Sequence, residues 1–498
     1  MLPAPRKPSG KSNLDQIFDR EAFPHRLIAT GKAAHPVKMV CGATTPVQRL
    51  CNVAHPDLNQ AGASAVNPHY LDHVMTVAED REVEATEDIY AENGMKLVAK
   101  GYAINAALRE RLIRHKLVKP LEDCMAVAGG VTGERCAEVA ERLLDSHPAL
   151  RAMCPSDKGP SSPLRLLKEA CPTGRLQTLL TVYAEHRPGK LEHAVRVSLL
   201  AMSLAQRMLP KDRQVQDVLL VAGLAHDVGE LYIDPQYLQP GARLGPKEWR
   251  HIAAHPVIAH GLLTTLEGSA KPAAELILNH HERLDGFGYP LGKRAGQLSE
   301  AAQILAVAEM LAGMMERGGW VPERADIAVK LIHGEFSRSV IDAVSGLCKA
   351  CRDAGIPADR DDMNEVPARI LAVNERFTFL AAQAERFHSD FERASGPFQT
   401  LLAQVQGRYG SIRKAWSSTG LDVQPDGGWL LAAPEPTQRE VTPILKEIDW
   451  RMRELEREWH ARVARHASAD LPTVERFLKE ANGGRMPSVE EITLDTLP

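Results

Sequence analysis

Residues 280–290 read HHERLDGFGYP and are chemically the most specific part of the chain. The stretch opens with two histidines that follow the apolar residues 276–278. Polar groups that end an apolar run are costly to desolvate unless they bind a partner. The glycines at positions 286 and 288 allow close backbone approach, and Pro290 fixes a backbone angle. The stretch therefore predicts a histidine site beside a glycine-rich loop.

Histidine is concentrated around this stretch. The chain has 498 residues and 19 histidines, and eight of these lie between His186 and His281. Such a local excess indicates metal or proton chemistry. Metal-capable groups on predicted helices of this part are His193, His226, Asp227, His255, His280, His281 and Glu309. Imidazoles bind transition metals and a carboxylate can bridge two ions, so two metals sharing Asp227 would use the whole set. Taken singly, a histidine on an amphipathic helix is more often a surface or packing residue than a ligand, and we interpret His186, His251 and His260 in that way.

The motif at 280–290 resembles the HHExxDGxGYP pattern of the HD-GYP family at every fixed position. The His-Asp pair at 226–227 resembles the signature of HD-superfamily phosphohydrolases, the His-Pro pair at 255–256 falls at the family's HP, and 306–309 (AVAE) falls at its AVAD. The resemblance covers about 189–352. It implies an all-helical bundle that encloses a metal centre and hydrolyses the bacterial second messenger cyclic di-GMP to pGpG or GMP.

The resemblance also implies roles for individual residues. One metal would be held by His193, His226, Asp227 and Glu309, and the other by Asp227, His255, His280 and His281. The ions would be two divalent transition metals, iron or manganese, with a bridging hydroxide as the nucleophile. The catalytic residues would be Asp227 and Asp285. The substrate-binding residues would be Gly286, Gly288, Tyr289 and Pro290, although Tyr289 could instead only pack.

Several positions depart from the family pattern. The lysine of the family's HDxGK is Glu230 here, which replaces a cation near an anionic substrate with an anion. Glu309 replaces an aspartate, and Gly189 replaces the glutamate of three-metal members, which favours two metals. Activity would be reduced, altered or absent. Two alternatives therefore stay open: a degenerate HD-GYP signalling module that binds metal, nucleotide or a protein partner, and an HD phosphohydrolase acting on another nucleotide.

The remaining sequence predicts a mainly α protein: an HD-GYP bundle with a small N-terminal α/β module and a helical C-terminal region. Residues 1–75 are expected to be largely disordered, because they are rich in Pro, Ala, Gly, Ser and Asn without a sustained period. The α/β module is expected at 80–125, where Asn-Gly separates two short apolar runs. A helical connector at 130–188, the HD-GYP domain at 189–352 and the C-terminal helices at 353–498 follow.

Composition excludes several classes of protein. The formal net charge is -4, which argues against a nucleic acid polymer as partner. No apolar run reaches the length of a membrane span, and no secretory signal precedes the first domain, so we expect a cytoplasmic protein. The eight cysteines are scattered, and the pair Cys348 and Cys351 lies in an apolar helical pattern that favours packing over metal or redox chemistry.

The C-terminal region contains a short near-heptad pattern. Apolar residues recur at 4-3-4-3-4 spacing at Val441, Leu445, Ile448, Met452, Leu455 and Trp459. The pattern covers about three heptads, the lower limit for a coiled coil. Packing on the chain's own domain is the simpler interpretation, and a homodimer is the alternative.

Overall fold

The computed structural model describes residues 64–154, 162–170, 173–239, 242, 244–266, 270–316, 322–356, 365–423, 429–430 and 433–481. Helices dominate these residues, and every strand has two or three residues. The prediction of a mainly α fold is confirmed. No helix within the described ranges combines the length and the apolar composition that crossing a membrane requires.

The N-terminal module is a cluster of short antiparallel strand pairs. Its elements are β1 (Ser64–Ala65), α1 (Pro68–Asp80), β2 (Val83–Ala85), β3 (Ile89–Tyr90), β4 (Lys96–Val98), α2 (Arg109–Ile113), β5 (Lys116–Leu117) and β6 (Met125–Val127). The pairs are β1 with β5, β2 with β6 and β3 with β4. The predicted hairpin is the β3–β4 pair, and Gly94 in its turn has a φ of 81°, which glycine tolerates.

Helix α1 corrects the expected disorder of residues 1–75 over its own length. Residues 1–63 lie outside the described residues, whereas Pro68–Asp80 is helical with Tyr70 and Leu71 buried. The Asn67 side chain accepts hydrogen bonds from the backbone N–H groups of His69 and Tyr70, which caps the helix. The Tyr70 ring stacks on Tyr232 at 4.9 Å. The helix thus depends on a distant part of the chain, which local composition does not reveal.

The central helices carry the candidate site. They are α3 (Gly133–Ser146), α4 (Pro148–Met153), α5 (Pro163–Glu169), α6 (Gly174–His186), α7 (Lys190–Met208), α8 (Arg213–Ala225), α9 (Pro246–Ile252), α10 (His255–Thr264), α11 (Ala270–Ile277), α12 (Glu300–Glu316), α13 (Pro322–Leu331) and α14 (Arg338–Asp353). Helix α7 is buried along most of its length and packs against α8 and α12. Residues 246–264 form two helices, α9 and α10, because Pro256 favours the first turn of a new helix. That break makes His255 the first residue of α10.

The C-terminal helices close over one side of this bundle. They are α15 (Val366–Arg386), α16 (His388–Glu392), α17 (Gly396–Ser418), α18 (Glu435–His466) and α19 (Leu471–Ala481). All residues of the near-heptad pattern are buried, and Trp459 lies edge-on to Phe477 at 5.3 Å. The chain's own helices therefore cover this seam, as the simpler interpretation predicts. Cys348 and Cys351 are likewise fully buried within the core, in agreement with a packing role.

Candidate metal centre

Five segments bring the seven predicted ligands together at one point in the bundle. His193 lies in the first turn of α7, and Glu309 lies in the middle of α12. His226 and Asp227 follow the last residue of α8, at the start of a 3-10 turn (Val228–Tyr232). His255 begins α10, and the histidine doublet follows α11. Most of the groups thus lie at or near helix ends, where side chains from different helices converge.

The Asp227 carboxylate lies between two groups of histidines. Its Oδ2 is 3.4 Å from His226 Nε2 and 3.9 Å from His193 Nε2. Its Oδ1 is 3.3 Å from His255 Nε2 and 3.8 Å from His280 Nε2. Each carboxylate oxygen therefore faces its own histidine pair, which is the arrangement that a bridging ligand requires.

Hydrogen bonds outside the centre fix the direction of three imidazoles. The Nδ1 atoms of His226, His255 and His280 lie 2.8, 2.8 and 2.6 Å from the backbone carbonyls three residues earlier. Because a carbonyl only accepts, each Nδ1 carries the proton and each Nε2 of a neutral ring presents a lone pair to the centre. This outer hydrogen bond is the usual way in which proteins orient metal-binding histidines.

The close approach of these lone pairs fits bound cations. His255 Nε2 and His280 Nε2 are 3.1 Å apart, and His193 Nε2 and His226 Nε2 are 3.2 Å apart. Glu309 Oε2 lies 3.1 Å from both members of the second pair, and no described residue donates a hydrogen bond to it. Neutral imidazoles at these distances repel each other unless a proton or a metal lies between them.

His281 completes one of the two groups. Its ligand atom lies within 4.8 Å of those of Asp227, His255 and His280. Its Nδ1 is buried without a hydrogen-bond partner in the described part of the chain. The described residues thus form two clusters that could hold a metal, and Asp227 belongs to both.

Electrostatics separate the two histidine groups. Burial and the neighbouring histidines His255 and His226 lower the pKa of His280 to about 3, so this ring is a neutral ligand. Burial opposes protonation of His193, but Glu309 and Glu316 outweigh it and raise its pKa to about 9. The side of the centre that contains His193, Glu309 and Glu316 therefore attracts positive charge more strongly, either as protons or as a metal ion.

Lys190 lies beside the centre, on the same helical face as His193. Its Nζ donates to Glu230 Oε2 and lies 3.9 Å from Asp227 Oδ2. The ammonium also lies over the Tyr183 ring at 5.3 Å, and the Tyr183 hydroxyl donates to Asp227 Oδ2 at 3.3 Å. Burial would lower the pKa of Lys190, but Glu230 and Asp227 more than offset it and raise the pKa. The anion at 230 is therefore neutralised by a cation that contacts the bridging carboxylate.

The glycine-rich loop packs tightly behind the doublet. A Cβ at Gly288 would lie 2.4 Å from Glu282 Cα, so no larger residue fits there. The Glu282 carboxylate accepts the backbone N–H groups of Gly292 at 3.1 Å and Lys293 at 2.9 Å, which ties the loop to the doublet. Tyr289 is buried, and its ring stacks on His281 at 4.5 Å. Tyr289 thus has the packing contact that was the alternative to substrate binding.

Asp285 lies apart from the metal-binding groups. Its carboxylate accepts hydrogen bonds from the Phe287 N–H and from the buried Arg408 of α17. Arg408 is shared with the fully buried Glu335, which also accepts from Arg451 at 2.6 Å. These contacts give Asp285 a structural setting, and the structure does not place it with Asp227.

Comparison with known proteins also points to an HD domain in the part of the chain that holds the metal-capable residues. The HD domain family matches residues 177–343. This part of the chain is therefore similar to HD domains, and its motifs agree with an HD-GYP assignment. It is 23% identical over 276 residues to 3'3'-cGAMP-specific phosphodiesterase 3 of Vibrio cholerae, covering 53% of this chain and 55% of that protein. It is 28% identical to the cyclic di-GMP phosphodiesterase PA4108 of Pseudomonas aeruginosa, over 30% of this chain and 37% of that protein. It is 30% identical to a cyclic di-GMP phosphodiesterase of Thermotoga maritima, over 35% and 49%.

The chain thus spans about half or less of the length of these relatives, and the match to the HD domain family ends before α15. The HD domain implies dependence on divalent metal, and the clustered ligands agree with it.

Motifs and spacing did not reveal the residues that support the metal centre. Tyr183, Glu282 and Glu316 hydrogen-bond to ligands or to the loop. Lys190 hydrogen-bonds to Glu230 and lies near the Asp227 carboxylate. Lys190 precedes His193 by three positions on a predicted helix, and this i,i+3 spacing was the available signal. Glu282 lies inside the motif itself, but its acceptor role depends on a loop conformation that spacing does not reveal.

Proposed function

We propose that this chain is a metal-dependent phosphodiesterase that hydrolyses cyclic di-GMP to pGpG or GMP in bacterial second-messenger signalling. The observation that carries the proposal is the Asp227 carboxylate, whose two oxygens face two separate histidine groups. Relatives named as cyclic di-GMP phosphodiesterases support the substrate class. His193, His226 and Glu309 would hold one ion, His255, His280 and His281 the other, and Asp227 would hold both; iron or manganese suits this donor set.

Bound divalent ions would supply Lewis acidity, which lowers the pKa of water and offsets negative charge at a phosphodiester. The chain's own residues prepare the centre for this chemistry. Carbonyl-bound Nδ1–H groups hold His226, His255 and His280 in one tautomer. The Tyr183 hydroxyl fixes one oxygen of Asp227. These groups therefore need little reorganisation during reaction.

Lys190 accounts for the departure at position 230. The family's lysine is absent there, but Lys190 brings an ammonium to the same neighbourhood from the first turn of α7. Glu230 holds that ammonium beside Asp227. In this arrangement Lys190 is the cation available to an anionic phosphodiester, and Glu230 is its positioning partner. The charge at 230 therefore does not by itself argue for a degenerate module.

The test is hydrolysis of cyclic di-GMP by purified protein loaded with Mn²⁺ or Fe²⁺, with metal content measured on the same sample. Chromatography would separate the substrate, pGpG and GMP. A parallel reaction with 3'3'-cGAMP addresses the substrate named for one relative. We expect turnover of cyclic di-GMP that disappears in Asp227→Asn.

The alternatives predict different results in the same assay. A degenerate module would bind cyclic di-GMP in its metal-loaded form without turnover. An enzyme for another nucleotide would neither bind nor cleave it. Either result from demonstrably metal-loaded protein would contradict the proposed activity.

A further inference from the structure

A pocket lies behind the glycine-rich loop, and none of the seven metal-capable residues lines it. This cavity of about 250 Å³ is bounded on one side by loop residues 286–292 and on the other by the end of α18, including Ala461 and Arg465. Helix α18 follows the residues matched by the HD family. One wall of the pocket is therefore a feature of this chain's C-terminal region.

Positive side chains outnumber carboxylates at the wall of the pocket. Arg294, Arg462 and Arg465 line it. Glu458 attracts the Arg465 guanidinium, whereas Arg462 and Arg250 of α9 repel it. In the described ranges, none of Arg250, Arg294 and Arg465 forms a salt bridge with a carboxylate. Glu458 is the carboxylate at the cavity wall, and Arg457 and Arg462 already share it at 3.8 and 3.6 Å. Because like charges crowded at a partly buried site are unfavourable, the pocket is suited to an anion.

The arginine chemistry narrows the class of anion. Guanidinium groups bind phosphate oxygens bidentately, and several such groups favour a dianion. A phosphate monoester carries about -1.5 to -2 charges at pH 7, whereas a diester carries one. The volume is below that of a drug-sized site of roughly 300–1,000 Å³, so the pocket suits a small phosphorylated group. Trp249 and Tyr289 add aromatic surface to the wall.

We propose that this pocket binds the terminal phosphate of a phosphate monoester, such as a mononucleotide, through Arg294 and Arg465, which line it. The occupant would touch the loop that carries Tyr289, whose ring stacks on His281. It would also neighbour Arg462, which donates to the carbonyls of Phe287 and Gly288 at 2.6 and 2.8 Å. The pocket is thus placed where a ligand contacts the support of the metal centre.

The test is isothermal titration of the full-length, metal-loaded protein with GMP, ribose 5-phosphate and inorganic phosphate. We expect binding that weakens about tenfold or more in Arg465→Ala, since a charge-assisted hydrogen bond is lost. Arg465→Lys should keep part of the affinity. Arg453→Ala is the matched control, because Arg453 lies on the same helix but pairs with Asp449 at 2.6 Å. Thermal midpoints of the variants would establish that each is folded.

Asp227→Asn separates this pocket from the metal centre. Binding that persists in Asp227→Asn and weakens in Arg465→Ala supports the proposal, whether or not the chain hydrolyses cyclic di-GMP. Equal affinity for the three probes would mean that the phosphate alone is recognised, and tighter GMP binding would add a nucleoside contact. Absence of binding, or binding that survives Arg465→Ala and disappears in Asp227→Asn, would overturn the proposal.

Discussion

Removal of the Lys190 ammonium should affect stability and catalysis by separable amounts. In Lys190→Met the buried Glu230 carboxylate loses its hydrogen-bonded cation. Breaking a buried pair from one side costs about 3–5 kcal/mol of unfolding free energy. For a domain of this size the melting temperature should fall by roughly 6–20 °C. The lost attraction to Asp227 across 3.9 Å is of similar size, about 4 kcal/mol at an effective dielectric constant of about 20.

The double variant Lys190→Met/Glu230→Met distinguishes the two effects. It removes both charges, and replacement of a buried pair by apolar residues is often neutral or stabilising, so the melting temperature should recover. Activity should not recover, because the cation near the substrate is still missing; the loss in kcat should be roughly 100- to 1,000-fold, as for other groups that stabilise transition-state charge. The reversed pair Lys190→Glu/Glu230→Lys should regain part of that rate.

The assays are differential scanning calorimetry, steady-state hydrolysis of cyclic di-GMP, and metal analysis of each variant. Metal content should stay near that of the parent protein, because Lys190 is not among the seven predicted ligands. Full activity in the folded, metal-loaded Met/Met variant would refute the role of Lys190. An unchanged melting temperature in Lys190→Met would refute the stabilising pair.

Three further predictions concern the metal bridge, the loop and the C-terminal seam. Asp227→Ala should lose metal from both groups, whereas His193→Ala should keep the ion of the other group; equal metal content in the two variants, by mass spectrometry, would contradict the bridge. Arg462→Met removes the donor to two loop carbonyls, so limited proteolysis should cut the loop faster and KM should rise by about tenfold; unchanged proteolysis would exclude this support. Trp459→Ala should destabilise the chain by about 3–5 kcal/mol without changing its mass in light scattering; a change of oligomeric mass would instead support dimerisation through the seam.

Motifs and local spacing in the sequence were sufficient to predict the fold class and the position of the site. The mainly α fold, the Asn-Gly hairpin and the convergence of seven metal-capable groups all follow from motifs and helical periodicity. The break before His255 could have been read from Pro256, since proline favours a first helical turn. The helical order of α1 could not be predicted from local sequence, because its Tyr70 packs on Tyr232, more than a hundred positions away.

The sequence could not show that the Glu230 carboxylate is paired, for a physical reason. A carboxylate near an anionic substrate is unfavourable only if it is unpaired, and pairing is a property of the fold. Lys190 and Glu230 are 40 positions apart and meet because α7 packs against α8. A motif comparison therefore reveals the missing lysine at position 230 but not Lys190, which meets Glu230 only in the folded chain.

The contacts of Asp285 favour a supporting role over a catalytic one. Its carboxylate and the buried Glu335 share Arg408, and Glu335 also binds Arg451 from α18. Arg408 and Arg462 both lie over the Phe287 ring, at 5.2 and 4.7 Å. The loop therefore owes its conformation to cations from two C-terminal helices. Because Tyr289 of that loop stacks on His281, these helices are mechanically connected to the metal centre although they lie outside the matched domain.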